Sequence, residues 1–197
     1  MPGTYKVSMA RRVDGVLTPL GQSQEFQVVV EGQERMPPAD RIALVEFQQK
    51  VARLQRAVQG ALDAANTLTP RFVAIRRALL ETPNAPENLM TDATALEKRK
   101  NEILRALRGD QALRQRSMNL PPSINERVSS IVGSQRLSTS RPTQTQADQY
   151  TAAAQDFEST LAQLRQLIEN DLARLERQME AAGAPWTPGR IPEWKNQ

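Results

Sequence analysis

Apolar residues recur every three or four positions over most of the chain after residue 38. This spacing places side chains on one face of an α-helix, so each such stripe predicts an amphipathic helix. One predicted helix runs from 39 to 82 and another from 145 to 182. Their apolar faces comprise Leu44, Phe47, Val51, Leu54, Val58, Leu62, Ala65, Leu68, Phe72, Ile75 and Leu79 in the first helix, and Tyr150, Ala153, Phe157, Leu161, Leu164, Ile168, Leu172, Leu175 and Met179 in the second.

Two further helices are predicted between the long ones. In the helix over 87–108, Lys100 stands among apolar residues, so its aliphatic stem is expected to lie along the seam. A shorter helix begins near Ser123 and Glu126, which have the spacing of a capping box, and is expected to end at Gly133 or soon after. The apolar faces are Leu89, Ala93, Leu96, Ile103 and Leu107 in the longer helix, and Ile124, Val128, Ile131 and Val132 in the shorter one.

Prolines and small polar residues predict where these helices begin, bend and end. Pro37-Pro38 opens the first helix, because proline is well tolerated in a first turn. Pro70 should kink or break that helix, since it removes a backbone N–H and clashes with the preceding turn. Thr145 and Asp148 are the expected caps of the last helix, and Gly183 is its expected end.

The first 34 residues have the alternation of a β-hairpin. Tyr5, Val7 and Met9 share one face of a strand, and so do Phe26 and Val28 with Val30 in a second strand. Asp14-Gly15, between the two strands, favours a turn with positive φ, although the predicted connection is longer than two residues. A two-stranded hairpin is marginal in water, so we expect its apolar face to be covered by the helices or by earlier strands of a sandwich.

Helices with one apolar face must bury it against each other. The predicted fold is therefore mainly α: an up-and-down bundle of three long helices and one short helix, with an N-terminal β-hairpin. Residues 1–34 form the hairpin, 38–182 the bundle, and 183–197 a tail. That tail contains Trp186 and Trp194, and we expect it to pack back onto the rest of the chain.

Composition limits the chemistry that the chain can perform. Cysteine and histidine are both absent, which excludes disulfides, thiolate nucleophiles, Ser-His-Asp catalysis and histidine-based zinc sites. The net charge is +4, with basic and acidic residues interleaved along the same segments. The sequence has no apolar run long enough to span a membrane.

The predicted helices contain two sets of charged residues, pairs of carboxylates and clusters of basic residues. The carboxylate pairs Glu169 with Asp171 and Glu176 with Glu180 have the composition of an acid–base pair, but their helical positions predict exposed ion pairs with nearby arginines. The basic residues are expected to lie on solvated faces, and we do not expect nucleic-acid binding without an aromatic platform or a known motif. These basic residues are Lys98, Arg99, Lys100, Arg105 and Arg108, together with Arg71, Arg76 and Arg77. We predict no catalytic, cofactor-binding or metal-binding residue, and no cofactor.

The order of elements suggests a family. Pro2-Gly3-Thr4-Tyr5-Lys6-Val7, Asp14-Gly15 and Phe26-Gln27-Val28 are similar to the closing strands of immunoglobulin-like or fibronectin-like domains. Together with the helices that follow, this resembles the C-terminal region of secreted, sialidase-like β-propeller proteins, the sortilin-like or BNR-repeat glycosidase-like proteins. The resemblance implies an accessory module and a secreted or periplasmic parent. It carries over no catalytic residue, because the Ser-x-Asp-x-Gly-x-Thr-Trp repeat of the propeller is absent here.

Three functions are compatible with these features. The chain is expected to be a non-catalytic structural or interaction module, the C-terminal part of a larger secreted β-propeller protein. A free-standing helical adaptor or a self-associating coiled-coil protein is the alternative, and a fragment of a carbohydrate-active enzyme is the third. The partners implied are upstream domains of the parent chain, another protein, or a second copy in a homodimer.

Overall fold

A computed structural model describes residues 1–32 and 36–192 and confirms a mainly α fold, a helical bundle preceded by a β-hairpin. The strands are β1 (Gly3–Val7), β2 (Ala10–Val13), β3 (Val16–Pro19) and β4 (Gln24–Val28). The helices are α1 (Pro38–Leu80), α2 (Glu87–Arg108), α3 (Gln111–Gln115), α4 (Ile124–Arg136), α5 (Gln144–Arg165) and α6 (Ala173–Ala181), with a π-helical segment (Gln166–Leu172) joining α5 to α6.

Helix α1 is continuous through Pro70, so the expected break does not occur. Pro70 and Asn66, whose carbonyl loses its usual N–H partner, both lie on the exposed face, where water can satisfy that carbonyl. Leu68 and Phe72, on either side of the proline, are fully buried in the core, and their packing stabilises the helix across this position. With 43 residues, the helix is about 65 Å long at 1.5 Å per residue.

The bundle has three helical columns in cross-section. Helix α2 runs antiparallel to the second half of α1, where Lys100 contacts Thr69 and Glu97 contacts Arg76. Helix α4 runs beside the first half of α1, where Val132 and Val51 line one shallow hollow between the two helices. Helix α4 therefore continues the column of α2 along α1.

The third column consists of α5, the π-helical segment and α6, and it runs parallel to α1. Tyr150 packs edge-on against Phe47, with ring centroids 5.9 Å apart, and Glu176 meets Arg71 further along. The predicted stripe of α1 is buried from Val51 to Leu79, so these columns bury one another's apolar faces.

Helix α4 agrees with its prediction, and the start of α5 does not. The capping box of Ser123 and Glu126 is present, and α4 ends at Arg136, soon after Gly133. Helix α5 is capped by Thr143, whose hydroxyl accepts the Gln146 N–H at 3.3 Å while its own N–H donates to the Gln146 side chain at 3.0 Å. The predicted caps at Thr145 and Asp148 are wrong because the helix begins earlier: Thr143, two residues before Thr145, accepts the free N–H of Gln146.

The π-helical segment corrects the helical register of the third column. Buried apolar positions step from Leu164 to Leu167 and then by five residues to Leu172. Leu175 then continues the apolar stripe. A π turn accommodates one additional residue, so it keeps both ends of the column facing the core. The extra residue also places Asp171 inside, where it is 7% exposed.

The described part of the tail, 183–192, contacts the bundle. Thr187 is buried, and the Arg190 guanidinium lies 4.3 Å from the centre of the Trp186 ring while bonding Glu180 at 3.2 Å. Trp194 lies outside the described residues.

Candidate interaction surface

The hairpin has four short strands in two ladders, where the sequence predicted two strands. Strands β1 and β4 pair antiparallel, and β2 and β3 form a second ladder between them. Asp14-Gly15 joins β2 to β3 as a two-residue turn with φ of 49° and 82°. The prediction of a longer connection is wrong, and the signal was present: Asp-Gly flanked directly by Val13 and Val16 is typical of a tight hairpin.

The outer ladder has one apolar and one polar face. Tyr5 is opposite Phe26, and their rings stack with centroids 5.9 Å apart. On the other face, Lys6 and Glu25 form an ion pair at 3.2 Å, and Gln27 donates to Thr4 at 2.8 Å. The outer ladder therefore has the amphipathic pattern of a sheet with one covered face.

Further apolar side chains are exposed toward the hairpin tip. Met9 and Leu20 lie opposite each other, with the Leu20 N–H bonding the Met9 carbonyl at 2.8 Å, and Val13 pairs with Val16. Arg11 and Thr18 interrupt the apolar row. We call this surface the hairpin face; its apolar members are Tyr5, Val7, Met9, Val13, Val16, Leu20, Phe26 and Val28.

The hairpin face is open to solvent. Every strand residue is exposed except Val28, which is half-buried, and the exposed fraction reaches 69% at Met9 and 66% at Val16. Of the two predicted covers for this face, the helices are therefore wrong. The apolar stripes of the helical columns are buried against one another instead.

The carboxylates Asp171 and Glu176 are not on an exposed face, which corrects their predicted placement. Each is 7% exposed. Arg71 donates to both oxygens of Glu176, at 2.8 and 2.7 Å, and Arg99 donates to Asp171 at 2.5 Å. Their predicted companions, Glu169 and Glu180, are exposed as expected.

These carboxylates are poorly placed for acid–base chemistry. A general acid or base needs access to a substrate, whereas both groups face a guanidinium across a packed helix interface. No group of three or more acidic residues in the described ranges is arranged to hold a metal ion. Within these same ranges, no helix has the length and apolarity to cross a bilayer.

Most of the predicted basic runs are engaged in ion pairs. Arg76 bonds Glu97 at 3.1 Å, Arg77 bonds Glu81 at 2.8 Å, and Arg105 bonds Asp110 at 2.9 Å. Lys100 is 3% exposed and donates to the Thr69 hydroxyl at 3.2 Å, and burial lowers its pKa below the usual value of lysine. Arg108, among the described residues, has no acidic partner.

Comparison with known proteins identifies no relative: no family model, curated protein or solved structure matches this chain.

Proposed function

We propose that this chain is a non-catalytic interaction module whose hairpin face packs against a β-sheet of a neighbouring domain in the same larger protein. The observation that carries the proposal is the contrast between two surfaces. The bundle buries its stripes internally, whereas the hairpin exposes apolar side chains along one face, interrupted only at Arg11 and Thr18. Exposed apolar patches of this kind are typical of interaction sites.

A β-sheet is the partner that fits the hairpin best. Face-to-face sheets pack about 10 Å apart with interdigitating apolar side chains, and the hairpin has the required alternation along its outer ladder. The opposite face, with its Lys6–Glu25 ion pair, is suited to water. The resemblance to closing strands of an immunoglobulin-like domain supports a parent of the secreted, glycosidase-like β-propeller class.

Site-specific photo-crosslinking tests this proposal. The reading frame upstream of residue 1 is sequenced, the longer chain is expressed, and p-benzoylphenylalanine is placed at Tyr5 on the hairpin face. The matched control carries it at Thr4, the neighbouring position on the polar face. We expect intramolecular crosslinks from position 5 to apolar strand residues upstream, with few from position 4.

Two results would contradict the proposal. A stop codon closely preceding residue 1 removes the neighbouring domain altogether. Crosslinks that join position 5 of two copies, together with a dimer in light scattering, would favour the self-associating alternative instead.

A further inference from the structure

A second surface lies where α2 ends and the chain turns toward α4. A groove of about 480 Å³ opens there, with an apolar wall formed by Ala106, Leu113, Leu120 and Pro121. We call it the junction groove. Its volume falls in the usual range of binding pockets, and an apolar wall with a few polar groups is their usual composition.

A smaller hollow of about 240 Å³ adjoins the junction groove. Arg105, Gly109 and Asp110 line both, so the Arg105–Asp110 ion pair lies between the two depressions. The smaller hollow is polar, with Arg108 and Asn101 in its wall. An apolar site and a polar site thus lie side by side.

The carboxylates around the junction groove are already engaged. Asp110 accepts the N–H groups of Ala112 and Leu113, each at 3.1 Å, in addition to pairing with Arg105. Glu126 caps α4 and pairs with Arg114.

Arg108 differs from Arg105 and Arg114, because no carboxylate pairs with it in the described part of the chain. The smaller hollow therefore has an uncompensated guanidinium charge in its wall.

We propose that the junction groove binds an acidic peptide segment of another protein. An apolar side chain of the peptide occupies the larger hollow, and a carboxylate bonds Arg108 in the smaller one. Guanidinium binds carboxylate through paired, charge-assisted hydrogen bonds, which gives the site its specificity. Because the hollows adjoin and an extended peptide advances about 3.3 Å per residue, the two anchoring residues are expected within about three positions of each other.

Peptide selection followed by quantitative binding tests this proposal on the full chain. A phage-displayed random dodecapeptide library is panned against the protein, and a selected peptide is labelled for fluorescence polarisation. We expect enrichment of sequences that combine Asp or Glu with a nearby Leu, Ile or Phe. Arg108→Gln should weaken binding about tenfold, because one charged hydrogen-bonding partner is lost.

Arg53→Gln is the matched control, since Arg53 is an exposed arginine of α1 with the same charge and lies outside the groove. It should leave the affinity unchanged. Methyl NMR spectra provide an independent readout, in which the peptide should shift Leu113 and Leu120 more than Leu80.

Three outcomes would overturn the proposal: no enriched peptide, enriched peptides without a carboxylate, or equal weakening by Arg108→Gln and Arg53→Gln. The junction groove and the hairpin face are separate surfaces, so either proposal can fail while the other holds.

Discussion

The guanidinium of Arg71 donates two hydrogen bonds to the carboxylate of Glu176, joining α1 to α6 across 105 residues of sequence. Gly189 of the tail packs on the same guanidinium: a β-carbon at this position would lie 3.5 Å from its central carbon. Arg71 of the first column thus contacts both the third column and the tail. We therefore expect the stability of the bundle to depend strongly on this ion pair.

Arg71→Met should lower the free energy of unfolding by about 3 kcal/mol, because it leaves the buried Glu176 carboxylate without a counter-charge. The double variant Arg71→Met/Glu176→Leu should recover most of the loss, since it removes both charges and keeps the volume. Urea unfolding followed by circular dichroism measures both. Arg77→Met, which breaks the exposed Arg77–Glu81 pair, is the control and should scarcely move the midpoint. Similar losses for Arg71 and Arg77 would contradict this account.

Lys100→Met should stabilise the protein by about 1 kcal/mol at neutral pH, because a charged amine is replaced by an apolar side chain of similar length. Burial lowers the pKa of Lys100, so the folded state binds fewer protons than the unfolded state between that lowered pKa and about 10.5. The free energy of unfolding of the wild type should therefore gain a rising component with pH in this window, and the variant should lack it.

Lys98→Met controls for the loss of charge, since Lys98 is an exposed neighbour in the same helix. A destabilised Lys100→Met variant would show that the amine contributes to stability in its charged form. An unchanged alkaline limb would show that the pKa of Lys100 does not differ between the folded and unfolded states.

The sequence predicted what local periodicity determines. The stripe from Val51 to Leu79 and the capping box at Ser123 depend on nearby residues, and both are present. The burial of Asp171 and Glu176 could not be predicted in the same way, because it depends on distant partners. Arg99 precedes Asp171 by 72 residues, and Arg71 precedes Glu176 by 105 residues. A helical wheel shows which face a carboxylate occupies, but it does not show what packs on that face.

The two candidate surfaces also depend partly on local patterns and partly on contacts between distant segments. The alternation that forms the hairpin face was visible in Tyr5 and Phe26, but its exposure depends on whether the helices have a free apolar face. The junction groove was not visible at all, because it arises where the short α4 continues the column of α2. No local pattern around Leu113 or Leu120 indicates that the two lie on one wall.

Deleting Glu169 should leave a cooperatively folded protein. Glu169 is an exposed residue of the π-helical segment, and removing one residue there converts the five-residue step from Leu167 to Leu172 into the four-residue step of an α-helix. Deleting Gln155, an exposed residue of α5, should be far worse, because it rotates the preceding turns by about 100° against the core. Thermal melts of the two deletions measure the difference, and equal melting temperatures would show that the segment does not set the register.

Gly15→Val should disrupt the hairpin and leave the bundle intact. Gly15 has a φ of 82°, a region that β-branched residues avoid, and the strands are exposed and packed separately from the helical core. Amide hydrogen exchange should therefore accelerate at Tyr5 and Phe26 while the helical melting temperature stays unchanged. Gly15→Asn is the matched control, because asparagine tolerates positive φ and should preserve the slow exchange. A lowered helical melting temperature in Gly15→Val would show that the hairpin and bundle unfold together.

Asp110 should contribute to stability in a pH-dependent way. The hydrogen bond from the Leu113 N–H is the main cause that lowers the pKa of Asp110, with Arg105 adding to it. A folded-state pKa below the unfolded value of about 3.8 means that the contribution is present above this pH and is lost as the pH falls through the lowered pKa. Asp110→Asn keeps an N-capping side chain but does not titrate, so it should flatten the acid limb of the free energy of unfolding. Asp92→Asn, an exposed substitution in α2, controls for the loss of charge. Urea unfolding from pH 5 down to pH 2 measures both acid limbs. If the limbs of Asp110→Asn and the wild type superimpose, the charge of the Asp110 carboxylate does not stabilise the turn beside the junction groove.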